Sequence, residues 1–395
     1  MYFNKKAAAL CILMATTSLF VGCGNRNIDF SESNKKIESE LKEDNKIEIS
    51  INAFGDLLIH NSVYDSAKTK EGYDFTAQFD DIREKVTNSD YTIGNLEIPI
   101  GKSDFSNYPS FRAPWEIAKA MKNVLDVELL TTASNHTLDK GFNGLKTTLD
   151  CLDEIGINHV GSYRTEEEAD KILIEDIKGV KVAMLAYTYG TNGYPIPKSN
   201  PKAVNLINNE KIKEDAEKAK ELGADFIIVN LHDGQEYELN ANKNQKDLAE
   251  YIFSQTEANL IIGHHPHVVQ EIEEMTVMKD GKEKKGVVAY SLGNFTSGQN
   301  KQYRDTGCIA KFNIVVDKNN PENTEVKSVE YTPVFVDRNP TSTGKNHRVV
   351  DINKAISDYE NGTDKLISKE EYDKLIYYRD YYRKKLIKDD FIKEL

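Results

Sequence analysis

Short apolar, β-rich runs recur along this chain at residues 47–54, 91–93, 127–132, 225–230 and 259–262, and a polar signature follows each one. Apolar runs of this kind read as strands buried on both faces, as in parallel sheets covered by helices. Between them lie stretches of helical spacing, 114–123, 141–155, 208–222 and 243–258, two of which stop at Gly156 and Gly223. Residues 181–187 add one more strand. This alternation predicts a layered α/β domain. After Pro266 the pattern changes to strands without long helices between them, at 268–275, 286–290, 308–316 and 325–336. These predict a second, more antiparallel sheet packed on the first. Beyond Arg338 the chain reads as helical and charged, and Tyr372, Tyr377, Tyr378, Tyr381 and Tyr382 are predicted to form one packed helix face.

The loops that leave the carboxyl ends of strands in an open α/β sheet converge on one crevice. The signatures can therefore meet although they lie far apart in sequence. They read Gly55-Asp56, Gly94-Asn95-Leu96-Glu97, Ser134-Asn135-His136, Leu231-His232-Asp233-Gly234 and Gly263-His264-His265-Pro266-His267. Asp56 closes the first strand and is expected to face the crevice. Asn95 and Glu97 stand two apart on extended backbone, so they can share one target. Asn135 offers a neutral oxygen to a metal, and His136, with Asp139 just beyond, offers a proton to a leaving group. In His265-Pro266-His267, proline is expected to hold the chain extended so that both imidazoles project to one side. His232 adds a third imidazole. Three of the 8 histidines fall within 263–267. Carboxylate, amide oxygen and imidazole together suit a divalent cation, which polarises an attacked oxygen and lowers the pKa of water. His60 is expected beside the ligands or facing a substrate. Arg112, just before a helix start, is a candidate anion holder. Ser291-Leu292-Gly293-Asn294-Phe295 follows an apolar strand and reads as ending in a polar loop.

Charge and the first residues narrow the picture. A formal net charge of −13 argues against nucleic acid as a partner. Lys5 and Lys6 precede an apolar stretch, 7–21, that is short for a membrane span and reads as a secretory signal. Its end, Leu19-Phe20-Val21-Gly22-Cys23, resembles a bacterial lipobox, in which the cysteine is lipidated. Residues 24–45 are polar and read as a tether. The expected organisation is a signal at 1–22, a tether at 23–45, a body at 46–337 and a helical extension at 338–395, anchored through Cys23 at the extracytoplasmic face of the membrane. Of the remaining cysteines, Cys11 leaves with the signal, while Cys151 and Cys308 read as two separate buried thiols.

Taken in order, the signatures resemble the CapA (PgsA) family of capsule-synthesis proteins. The resemblance runs through Gly55-Asp56, Gly94-Asn95-Leu96-Glu97, Phe111-Arg112-Ala113-Pro114 and Ser134-Asn135-His136-Thr137-Leu138-Asp139. It continues through His232-Asp233-Gly234-Gln235-Glu236-Tyr237, Gly263-His264-His265-Pro266-His267 and Ser291-Leu292-Gly293-Asn294-Phe295. That family looks like a branch of the calcineurin-like metallophosphoesterases, and the likeness implies their layered α/β fold. It also implies Asp56, Asn135, His232, His265 and His267 as metal ligands, with His136 as acid. Where those enzymes usually bridge two metals with an aspartate, this chain offers Asn95, so Glu97 substitutes or one metal binds. The ions implied are one or two of manganese, iron, zinc or magnesium. His60, Asn95, Asp139, Glu236 and Asn294 are expected around the ligands or against the substrate. The implied function is synthesis or processing of capsular poly-γ-glutamate by a metal-dependent hydrolase or transferase. The substrate implied is an anionic polymer, and a membrane synthase complex is a further expected partner. A phosphoesterase and a non-catalytic subunit of a polymer synthase and exporter remain the alternatives.

Overall fold

The apolar runs fold into two mixed sheets in a computed structural model that describes residues 46–340 and 346–395. The expected signal and tether, with Cys23, lie outside the described residues. In chain order the strands are β1 (Lys46–Leu58), β2 (Tyr91–Leu96), β3 (Ile100–Gly101), β4 (Ala113–Pro114), β5 (Leu129–Thr131) and β6 (Asn158–Val160). They continue with β7 (Leu173–Ile177), β8 (Val180–Thr188), β9 (Phe226–His232), β10 (Leu260–His264), β11 (Ile272–Lys279) and β12 (Lys282–Ala289). The last are β13 (Asn294–Ser297), β14 (Thr306–Asp317), β15 (Glu325–Asp337), β16 (Arg348–Asp351) and β17 (Ile392–Glu394). One sheet runs β16-β15-β14-β1-β2-β5-β6, with β13 against β1 and β17 against β15, and the other runs β11-β12-β10-β9-β8-β7.

Alternation along the strands sets the layers. In β1, Ile49, Ile51 and Ala53 share one buried cluster with Val182, Met184, Ile228 and Ile262 of the second sheet, so the two sheets face each other. Phe54, the next residue, joins Met121, Leu130 and Leu152 on the outer side, under the helices Glu116–Leu125 and Gly141–Ile155. The second sheet is covered in the same way by Ile212 and Ala216 of Asn209–Glu221 and by Ile252 and Phe253 of Lys243–Gln255. Each fully buried side chain of this size contributes about 1.5–3 kcal/mol. The order is helix, sheet, sheet, helix.

Three differences from the sequence reading matter. The antiparallel strands do not form a sheet of their own. β11 joins the second sheet through the β12 hairpin, whereas β14 and β15 extend the first from β1. Both sheets bury the same kinds of side chain, so local pattern cannot say which one a strand will join. The segment 291–297 ends in strand β13, paired in parallel with the end of β1, where a polar loop was expected. The C-terminal residues carry β16 and β17 as well as the helices Ile352–Glu360 and Lys369–Leu386. Cys151 and Cys308 are both buried and unpaired, as expected.

Candidate metal centre

The carboxyl ends of β1, β2, β9 and β10 meet at one point, so each sheet supplies half of a polar cluster. Glycine makes the approach possible. A Cβ at Gly55 would lie 1.9 Å from the Gly293 carbonyl, and one at Gly263 would lie 1.9 Å from the Tyr290 carbonyl. The register of β1 on β2 also slips between Ala53 and Asp56, a bulge that re-aims Asp56. The Asp56 N–H then donates to the Gly293 carbonyl at 2.8 Å.

Asp56 is fully buried, with Oδ2 3.2 Å from His267 Nδ1 and Oδ1 3.5 Å from His264 Nδ1. Burial would raise its pKa, but the two imidazoles outweigh burial and hold the carboxyl well below its usual range. Asn95 Nδ2 donates to Asp56 Oδ1 at 2.8 Å, while Asn95 Oδ1 accepts from Thr131 Oγ1 at 2.7 Å. Asn95 therefore orients Asp56. Glu97, also fully buried, lies 3.5 Å from His267 Nε2 and 3.9 Å from His232 Nε2. Neither of its oxygens has a hydrogen-bond partner among the described residues. Burial pushes this carboxyl well above the usual range, with His267 opposing.

The histidines differ sharply. Burial works against a proton on His267, yet the Glu97 charge and the Asp56 contacts raise it to about 9. Its Nδ1 also lies 3.1 Å from Asn294 Oδ1, which leaves Nε2 toward Glu97. Burial, helped by the charge of His267, lowers His265 to about 4. Burial likewise holds His232 well below the ordinary imidazole value, and its Nε2 lies 2.8 Å from Asn135 Oδ1. His136 Nδ1 lies 2.8 Å from Asp139 Oδ2, and that oxygen also accepts from the Phe111 N–H at 2.7 Å.

The sequence-predicted Asp56, Glu97, Asn135, His136, His232, His265 and His267 are thus gathered here, with Asn95, Asp139 and Asn294 around them. Glu236 acts through its charge on His265, His267 and Glu97. His60 stands further out, its Nδ1 3.2 Å from the Gly298 N–H and its ring against Phe111. Two expectations look different in the structure. Among the described residues, the Arg112 side chain makes no hydrogen bond or ion pair with the cluster. Its guanidinium lies over Gly101, where a Cβ would be 2.5 Å from Nε, and its charge acts on Cys151. Neighbours on an extended segment alternate sides, and here Phe111 takes the inward one, edge-on to His136. The chain through His265-Pro266-His267 is not extended either. His265 and His267 have φ of 99° and 58°, a strained conformation that occurs at functional sites.

Sequence reasoning placed His264 in the signature without a role of its own and missed Tyr189 and Asn192. His264 was legible in principle, because it pairs in register with His232 across β10 and β9, which places both on one face. Tyr189, whose ring centre lies 4.7 Å from that of His265, and Asn192, which accepts from Asn135 at 3.1 Å, come from a loop without a motif.

Donor atoms of Glu97, His265 and His267 lie within 4.8 Å of one another. A buried carboxylate without hydrogen bonds costs several kcal/mol unless a cation compensates it. His265 Nδ1 is likewise buried and unpartnered. The donor set fits a divalent metal.

Carboxylate, amide and imidazole groups thus converge between the two sheets of a layered α/β body to form a candidate metal site. The family model described as bacterial capsule synthesis protein PGA_cap matches residues 50–299, more than half of the sequence. The chain belongs to that family. It is 29% identical over 260 residues to the capsule biosynthesis protein CapA of Bacillus anthracis, covering 64% of this chain and 60% of that protein. It is 30% identical over 259 residues to the PGA biosynthesis protein CapA of Bacillus subtilis (strain 168), covering 64% of each. The chain thus matches somewhat less than two thirds of the length of these relatives. Among solved structures, the NAD nucleotidase NadN of Haemophilus influenzae matches with a TM-score of 0.44 at 14% identity, over 86% of this chain and 60% of that one. The calcineurin-like phosphoesterase YfkN of Bacillus subtilis matches with a TM-score of 0.40 at 16% identity, over 85% and 99%.

Proposed function

We propose that this protein acts in synthesis or processing of a capsular polymer, as a metal-dependent hydrolase or transferase working on poly-γ-glutamate or its attachment. The capsule role is supported by family membership and by the relatives named for capsule and PGA biosynthesis. The catalytic part rests on one observation: the buried, hydrogen-bond-free Glu97 carboxylate facing His265 and His267. Asp56, Glu97, Asn135, His232, His265 and His267 would hold the ion. A divalent ion there would polarise an amide or ester oxygen and make water more acidic. Asp139 fixes the His136 ring through Nδ1, and Nε2 is the atom that would protonate the leaving group. Asn95 and Asn294 keep Asp56 and His267 in their orientations.

Metal content, capsule output and turnover of the parent and two variants test this reading. His265→Ala is expected to lose metal and turnover together, because occupancy depends steeply on ligand number. His136→Ala is expected to keep its metal and lose roughly 10²–10⁴-fold in rate. A metal-free, well-folded His265→Ala protein that sustains full capsule output would leave a non-catalytic subunit as the better reading.

A further inference from the structure

We propose that Arg304, stacked on Tyr237 beside the histidine cluster, grips a carboxylate of the substrate, the part that the sequence assigned to Arg112. This rests on the reading that the site acts on an anionic polyglutamate chain. The Arg304 guanidinium carbon lies 3.2 Å from the centre of the Tyr237 ring, and that ring lies 5.9 Å from the ring of His267. One aromatic ring thus joins the guanidinium to the centre. Arg304 is half-buried, and among the described residues its guanidinium makes no ion pair and no hydrogen bond. A fork of donors held in place and left unpaired suits a planar oxyanion. Of the two other arginines near the site's rim, one is occupied and the other, Arg112, is unpartnered at Nε but packed against backbone rather than on a ring that touches a site histidine. Arg338 gives its guanidinium to the carbonyls of Val336, Ser297 and Gln299, and Arg112 lies over Gly101.

The stack is fixed from several sides. Tyr237 sits at φ 70°, its N–H donates to the Pro266 carbonyl at 2.8 Å, and its hydroxyl accepts from Gln299 Nε2 at 3.3 Å. The Arg304 carbonyl accepts from Asn294 Nδ2 at 2.8 Å, the same asparagine whose Oδ1 meets His267. Tyr303, at φ 67°, donates its N–H to the Tyr378 hydroxyl at 3.0 Å and packs its ring 4.8 Å from Tyr381. The C-terminal helix thereby holds the residue just before Arg304. Such fixing removes the ordering cost that a flexible surface arginine would incur on binding.

Calorimetric titration of the full chain with a γ-linked glutamate oligomer, its methyl ester and inorganic phosphate tests the assignment. The parent is expected to bind the acid oligomer, and Arg304→Gln to bind it about ten- to a hundredfold more weakly. Arg304→Lys should recover part of that loss, while Lys301→Gln, an exposed cation on the same loop, should lose nothing. The ester should bind weakly and equally to all forms, and metal content should stay unchanged. If Arg304→Gln and Arg304→Lys both bind the acid oligomer like the parent, Arg304 has no such role and the polyglutamate reading stands. If the parent ignores both oligomers but binds phosphate through Arg304, the anion grip survives and the polyglutamate reading fails. A parent that binds none of the three overturns both.

Discussion

At the scale of single residues, the centre is a set of charges that need one another. Asp56 is held ionised by His264 and His267, whereas Glu97 is pushed toward its neutral form by burial. His267 stands between them with a pKa raised to about 9. A raised folded value means that its proton favours the folded state fully below about pH 6.5, and that this contribution is lost as pH rises through about 9. The same proton must leave before Nε2 can bind a metal. Metal affinity is therefore expected to rise steadily with pH up to about 9 and then to level off. Chelator competition at a series of pH values checks this, and a flat profile across that range would remove His267 from the ligand set. Most of these residues were legible because each follows an apolar run and carries a metal-suited side chain. The backbone of His265 and His267 was not, since nothing local marks a left-handed conformation at histidine. That conformation persists through the long-range contacts that Asp56, Asn294 and Tyr237 make with this turn.

At the scale of elements, helices were read well because periodicity and end signals are local. Gly141–Ile155 ends at Gly156 in a left-handed cap, and Lys243–Gln255 opens with a reciprocal cap between Asn242 and Gln245. Strand pairing was not readable, because β12 and β14 bury similar side chains yet join different sheets. The tyrosine-rich C-terminal helix lies between these cases. A face packed by all five tyrosines was expected, but only Tyr378 and Tyr382 are buried, with Leu375 and Leu386, in the cluster that also holds Tyr331 and Phe335. Tyr372 and Tyr381 lie half-buried against it and Tyr377 points out. The helix's hold on Tyr303 was not expected. Tyr382 is buried and its hydroxyl meets Thr306 Oγ1, whereas Tyr377 is 48% exposed. Tyr382→Ala should therefore cost about 3–5 kcal/mol in a denaturant melt. Tyr377→Ala should cost about 0.5 kcal/mol or less. Equal losses would mean that the helix is held by something other than this face.

At the scale of the whole molecule, the described body is a four-layer scaffold whose two sheets present their strand ends to one side, and the chain carries a net charge of −13. On the proposed polyglutamate reading, a body so acidic would repel its polyanionic substrate at long range, so recognition would rest on local cations and on being kept close to where the polymer emerges. Anchoring would supply that closeness. No helix among the described residues is long and apolar enough to cross a membrane. The anchor is expected at Cys23, outside the described residues, after the apolar stretch 7–21 and before the polar stretch 24–45. A single lipid chain gives only marginal attachment, whereas two acyl chains on one cysteine hold stably, so the expected modification is diacylation. Cys23→Ser is then expected to appear in the medium, or to stay at the membrane with its leader uncleaved. Fractionation with an antibody against the body, together with the mass of the mature N-terminus, separates these outcomes. Capsule output should fall in both cases even though the purified body keeps its metal and its melting temperature. A cleaved Cys23→Ser protein that remains in the membrane fraction would show that another contact holds it there. The acidic body would then have to be drawn to the surface by a partner rather than by lipid.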